Sequence, residues 1–213
     1  MSARQRESTE IRQRQITEAA LRIIGEKGIH AATTAGIAAE VGISEGNIYR
    51  HFTSKEEIVR SVIGKIGEDL LLILGEVKNI ADPLEKLGEI FRIHLAYAEN
   101  NRGIPRTLFS EEVMVNNDAL REEIGKRLAG YCAGIRETIA EGRRQGSVHK
   151  DLDPEALTSM FIGTINFTII RWVLSGFALD LEKERATLWD TFSRSVAPDG
   201  GPDKLFRSGV LRA

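Results

Sequence analysis

The sequence predicts an all-α chain, and three observations carry that expectation. Apolar residues recur at intervals of three and four through nearly the whole chain. No stretch of useful length alternates apolar and polar residues as a half-buried strand would, and no internal repeat is visible. Cap and break signals, Asp82-Pro83, Asn100-Asn101-Arg102-Gly103, Asp153-Pro154 and Asp180, fall between the periodic stretches. At 213 residues there is room for a small domain joined to a larger one. The division read here is a compact helical domain over residues 1–55 and a larger helical bundle over 56–197. A tail follows over 198–213, mixing Gly, Pro and charge and expected to be mobile.

The elements follow in order. A first helix runs from Thr9 or Glu10 to Gly25, with Ile16, Ala19, Ala20, Ile23 and Ile24 at helical spacing. A second spans 34–41 and a third 44–52. The fourth runs from Lys55 towards Val77 with Ile58, Val62, Ile66, Leu70, Ile73 and Val77 inward, long enough to link two domains rigidly. Asp82-Pro83-Leu84-Glu85 combines a capping box with proline at the first helical position, opening a helix to Asn100. Its inward face holds Leu87, Ile90, Phe91, His94, Leu95 and Ala98. A helix over 104–115 follows, then one over 118–145 with Leu120, Ile124, Leu128, Tyr131, Cys132, Ile135 and Ile139 in register, stopped by Gly146. Asp153-Pro154 starts a helix apolar on nearly all sides through Phe177. Asp180 caps a last one carrying Leu181, Leu188, Trp189, Phe192 and Val196.

Composition excludes several classes. A hydrophobic content of 42% is enough to bury a core. The single cysteine, Cys132, excludes an internal disulfide and a Cys-based zinc site and suits a reducing cytosol. The first 22 residues hold five arginines and no continuous apolar core, so no signal peptide is read there. The longest uncharged run, Ala156 to Ile170, is shorter than a spanning helix needs, and Arg171 follows it. A cytoplasmic protein without a membrane segment is expected. No Glu-x-x-His pair, Gly-rich phosphate loop or nucleophile elbow is present, and the four histidines stand far apart. No catalytic, metal or cofactor site is read, and a helical-bundle enzyme is the remote alternative.

The segment Thr33 to Ile58 carries the functional signal. Ala38-x3-Gly42-x5-Ile48 is the spacing that two helices crossing steeply at a tight turn require. Ala38 lets the second helix approach, and Gly42 can take the positive φ that ends the first. Ile37, Val41, Ile43 and Ile48 supply the contacts, Ser44 is a favourable N-cap, and Ser54-x-x-Glu57 is a capping box. This is a helix-turn-helix, whose second helix would enter the DNA major groove. The run Gly42-Ile43-Ser44-x-Gly46-x-Ile48-Tyr49-x-His51-Phe52-x-Ser54-Lys55-Glu56-Glu57 resembles the DNA-binding signature of TetR-family transcriptional regulators. Gly25-x-x-Gly28 and Thr33-Thr34 precede it, as in that family. The detailed match covers about residues 10 to 60; beyond them length and helical periodicity agree.

Net charge does not carry the DNA reading. The total is −2, and residues 1–60 hold nine Lys/Arg against eight Asp/Glu, so a small local footprint is expected. Thr33 and Thr34 would offer hydroxyls and backbone N–H groups to a phosphate, with simple capping as the plainer alternative. Ser44 is first a cap. Gly46 allows close approach, and Asn47 can pair with adenine. Glu45 could accept from cytosine N4, but solvation or a favourable dipole interaction at the helix start is the preferred reading. Arg50 has reach for guanine or phosphate, and Lys55 puts a cation beside a phosphate. The resemblance implies that Tyr49 and His51 support or contact the DNA backbone. Phe52 is assigned to the core.

The helix after Pro154 presents Phe161, Ile162, Ile165, Ile169, Trp172, Val173 and Phe177, too much for one flank of a single bundle. Together with Trp189 and Phe192 of the last helix it is read as a homodimer interface of four helices, the arrangement the resemblance also implies; the alternative is a single chain that buries this helix centrally. The resemblance further implies a ligand pocket in the second domain. Its candidate polar residues are His94, Tyr97, Arg106, Tyr131 and Asn166, with Phe109 among the apolar lining, suiting a small, largely apolar ligand. Gly125, Gly130, Gly134 and Gly163 leave room for a cavity. The expected function is a ligand-responsive repressor acting as a dimer on a pseudo-palindromic double-stranded DNA operator. The alternative is a ligand-independent or protein-regulated structural DNA-binding dimer.

Overall fold

The structure is a computed structural model that describes residues 8–114 and 117–198. Most of the tail expected to be mobile, 199–213, lies outside the described residues. The described elements are helical, ten α-helices and one 3-10 turn. They pack as two units. The first comprises Met1–Asp69 with Asn100–Arg127, the second Leu70–Glu99 with Leu128–Ala213. This division departs from the contiguous segments 1–55 and 56–197, because residues 100–127 pack among the N-terminal helices.

In the first unit, α1 (Thr9–Lys27) is capped by Ser8 and ended by Gly28 at φ 88°. A 3-10 turn over Ile29–Ala31 leads to α2 (Thr34–Val41), where Thr33 Oγ1 accepts from the Gly36 N–H at 3.0 Å. Gly42, at φ 75°, ends α2 as its sequence position requires. The next helix, α3 (Glu45–Ile48), is shorter than the expected 44–52. Past Ile48 the chain tightens into i→i+3 bonds, Arg50 to Asn47 and His51 to Ile48, before Phe52 turns into the core. Helix α4 (Lys55–Glu76) follows. Its capping box is modified: Ser54 Oγ accepts from the Glu57 N–H, but Glu57 Oε2 returns to Thr53 N at 2.5 Å and Thr53 Oγ1 at 2.9 Å. Those two Thr53 donors, the backbone one first, hold the Glu57 carboxyl below its usual range. Ile16, Ile24, Ile37, Ile48, Phe52, Ile58 and Val62 are all buried.

The chain returns to this unit after α5 (Pro83–Asn100). The expected helix 104–115 is two short ones, α6 (Gly103–Leu108) and α7 (Glu111–Met114). Ser110 makes the break, donating to the Thr107 carbonyl at 2.7 Å and accepting from the Val113 N–H. Helix α6 lies directly on α1: a Cβ on Gly103 would stand 2.2 Å from the Leu21 carbonyl oxygen, and one on Gly25 2.8 Å from Gly103 N. Arg106 donates to the Gly25 carbonyl at 2.7 Å beside that crossing. Asn117 caps α8 (Asp118–Gln145) through the Leu120 N–H and donates to Glu56 Oε1 at 2.9 Å.

The second unit is built on α5, α9 (Pro154–Leu174), α10 (Leu181–Val196) and the later turns of α4 and α8. Asp82, Asp153 and Asp180 all cap as expected. Phe91, Phe161 and Phe192 form an edge-to-face chain with centroids 5.7 and 5.4 Å apart. Trp189 closes it, its indole seated where a Cβ on Gly88 would be 2.8 Å from Cζ2. Helix α9 stops at Leu174, not Phe177. Gly176 and Phe177 take left-handed φ values of 66° and 68°, and the Phe177 ring packs edge-on to Trp172 at 4.6 Å. That ring contact offsets a backbone cost of about 1–2 kcal/mol.

The residues expected at the dimer surface lie mostly inside their own chain. Phe161, Ile162, Ile165, Ile169, Trp172 and Phe192 are buried within their own chain, and Val173 and Trp189 are half-buried. A helix apolar all round has two apolar faces, and those residues form the one that fills the core. The outward face carries Met160, Phe167 and Leu174, the last 81% exposed. Among the described residues α9 alone is long and apolar enough to cross a membrane by length and composition. Its inner side is committed to this core. The glycines expected to leave room do not: Gly125, Gly130 and Gly163 face outward with no atom within 4 Å of a built Cβ, and Gly134 is filled by Leu74.

Candidate nucleic-acid interface

The outward surface of α2 and α3 is built by the Gly42 turn. Ile37, Ala38 and Ile48 face inward and are buried, while Ser44, Glu45, Gly46, Tyr49 and Arg50 are exposed. Ser44 stands at the N-cap position in extended conformation, yet its side chain makes no cap bond, and its exposed hydroxyl is left for an external acceptor. Gly46 is exposed, and nothing lies within 4 Å of a Cβ built on it. Internal packing therefore does not ask for glycine there. Asn47 is half-buried and Arg50 exposed.

Tyr49 is 53% exposed. Its hydroxyl lies 3.5 Å from Thr34 Oγ1, and Thr34 donates to Glu45 Oε1. Thr34, Glu45 and Tyr49 thus form one polar cluster joining the start of α2 to α3. His51 is placed differently from an exposed contact. Its carbonyl accepts from Gln13 Nε2 at 3.0 Å, and its ring Nδ1 is enclosed without a hydrogen-bond partner. Lys55 spends one of its three ammonium donors on the Ile29 carbonyl at 3.3 Å. It also lines a cleft of about 150 Å³ with Ile29, His30, Glu56, Val59 and Leu120, well below the size of a pocket for a drug-sized molecule.

The residues read as ligand-binding divide. Arg106 and Phe109 lie in the first unit, where Arg106 holds the Gly25 carbonyl and Phe109 is half-exposed at the α6–α7 break. Tyr97 is half-buried against the core of the second unit, and Asn166 is half-buried on α9. His94 and Tyr131 come together in that core, Nδ1 to hydroxyl 3.1 Å and ring centroids 5.4 Å. Burial pushes the Tyr131 phenol up and pulls His94 down to about 4, so both are neutral at pH 7.

This sets a pH dependence. Unfolded, His94 takes its proton near 6.5; folded, only near pH 4. The unfolded chain binds more protons in between, so stability falls as pH drops from about 6.5 to about 4 and levels off below. The gap corresponds to roughly 3 kcal/mol. Urea midpoints across this range should fall for the wild type and fall less for His94→Gln, which keeps a polar group but does not titrate. Equal slopes in both would place the titration on another group.

Two helices meeting at a left-handed glycine, with a polar outer face of Thr33, Ser44, Gly46, Tyr49 and Arg50, define a helix-turn-helix DNA-binding transcriptional regulator. Residues 16–62 match the bacterial regulatory proteins of the tetR family, and residues 64–192 match the C-terminal region of YsiA-like protein. The chain belongs to the TetR family. The fatty acid metabolism regulator protein of Bacillus subtilis is 31% identical over 170 residues, 78% of this chain and 86% of that protein. The nucleoid occlusion factor SlmA of Shewanella pealeana is 30% identical over 168 residues, 77% of this chain and 84% of the relative. The crystal structure of FadR from Bacillus subtilis in complex with stearoyl-CoA superimposes with a TM-score of 0.74 at 27% identity, covering 84% of this chain and 97% of that one.

Proposed function

We propose that this chain is a cytoplasmic, non-enzymatic repressor that binds a pseudo-palindromic operator as a homodimer and releases it on taking up a small molecule whose buried part is largely apolar, the acyl chain of a long-chain acyl-CoA. The outward face of α2 and α3 carries the reading, since it exposes together Gly46, a Ser44 hydroxyl that makes no cap bond, Tyr49 and Arg50. Similarity to a regulator solved with stearoyl-CoA supports the ligand class. The apolar interior of the second unit, with His94 and Tyr131 as its polar pair, is chemically suited to an acyl chain. Dimerisation is assigned to the Met160–Phe167–Leu174 face of α9, three large apolar residues repeating every seven positions.

Selection from a random double-stranded DNA pool at two salt concentrations tests the DNA half of this reading. The expected result is an inverted repeat with half-sites about 34 Å apart or a multiple of that spacing. Stearoyl-CoA should then weaken operator binding, and operator should weaken stearoyl-CoA binding by the same factor. Equal stearoyl-CoA affinity with and without operator would remove the ligand response and leave a ligand-independent or protein-regulated DNA-binding dimer.

A further inference from the structure

A carboxylate stands on the surface that has to meet a polyanion. Glu45 is the first residue of α3, exposed, immediately before Gly46, whose open Cβ space admits close approach. An acid solvated at a helix start would need no anchor, yet Glu45 has one. A carboxylate can only accept, so the Thr34 hydroxyl, eleven residues earlier, gives its proton to Glu45 Oε1. The Tyr49 hydroxyl flanks that pair at 3.5 Å from Thr34 Oγ1. The glutamate is therefore oriented before any partner arrives, while its carboxylate retains further acceptor sites.

Beside DNA such a group is unfavourable next to every phosphate and next to every acceptor edge. In the major groove only the exocyclic amino groups, cytosine N4 and adenine N6, can donate to it. We propose that Glu45 is a specificity-determining residue of the DNA interface. Its carboxylate accepts from a cytosine or adenine amino group and disfavours half-sites that lack one at that position. Thr34 is the positioning residue. With its proton committed to Glu45, phosphate contact at the start of α2 falls to backbone N–H groups and to neighbouring side chains. The inference rests on the DNA-binding reading above.

The test is selection from a random double-stranded DNA pool with the full chain as wild type, Glu45→Ala, Glu45→Gln and Thr34→Val, each first shown folded by circular dichroism. Wild type should enrich an inverted repeat with cytosine or adenine at one fixed position of each half-site. Glu45→Ala should bind non-cognate DNA more tightly and lose about tenfold preference at that position alone. Glu45→Gln should shift the preference towards adenine, which a side-chain amide pairs with two bonds. Thr34→Val, keeping the charge but not the anchor, should weaken the preference without moving it. A Glu45→Ala motif identical to wild type at every position overturns the inference and reduces Glu45 to a clamp between α2 and α3. If that variant does not fold, an unchanged Glu45→Gln motif does the same. A wild type that enriches no inverted repeat overturns the DNA reading, and this inference with it.

Discussion

Phe161→Ala should destabilise the chain by about 4 kcal/mol, while Phe167→Glu should leave the fold intact and abolish the dimer. The two residues lie six positions apart on one helix and look equivalent in the sequence. Phe161 is fully buried, edge-on to both Phe91 and Phe192 at 5.7 and 5.4 Å, so truncation opens a cavity and breaks two aromatic contacts. Phe167 is 63% exposed between Met160 and Leu174. A glutamate there meets water in the monomer but would be a buried, unpaired charge against a symmetry mate. Urea denaturation reads the first effect and sedimentation reads the second, with operator affinity falling as the paired half-site contacts are lost. A Phe167→Glu variant that still sediments as a dimer would move the interface off this face of α9.

Gly103→Ala carries the second large effect. Helices α1 and α6 cross backbone to backbone, and the new methyl would stand 2.2 Å from the Leu21 carbonyl oxygen and 2.8 Å from Leu21 Cδ1. The flexible leucine tip can move aside; the carbonyl belongs to a helix and cannot. Helix α6 must therefore lift, which also strains the Arg106 bond to the Gly25 carbonyl at 2.7 Å. Overpacking of this kind costs about 3 kcal/mol, at the upper end of the usual range. For a chain of this length the melting temperature should drop by about 6–12 °C. Arg106→Ala, which removes the bond and not the close approach, should cost clearly less. Wild-type melting in Gly103→Ala would mean that the two helices do not cross so closely.

Much of the fold was legible from local signals. Caps at Thr33, Asp82, Asp153 and Asp180, with terminators at Gly42 and Gly146, act within one turn of their own position. They placed α2, α5 and the starts of α9 and α10. Where the expectations missed, a specific side-chain or backbone contact had intervened, in some cases near in the sequence and in others far along it. Ser110 splits the stretch 104–115 by a hydroxyl that caps one piece and closes the other, a choice periodicity does not encode. Gly25 was visible as the end of a pattern, but its use as a crossing point needs Gly103, 78 positions on. Glu45 was weighed as a solvated acid because nothing within a helical turn of it called for an anchor.

The sequence by itself determined the class of protein: helix periodicity, cap chemistry and the Ala38–Gly42–Ile48 spacing are short-range, and short-range geometry suffices for a helix-turn-helix. Tertiary structure alone decided which of the two apolar faces of α9 became core. It also decided that Arg106 ties α6 to α1 and that His94 and Tyr131 share a buried hydrogen bond. The physical reason is that burial and pairing depend on what lies opposite. A side chain's composition states that it can be covered or bonded; only the packed helices supply the partner.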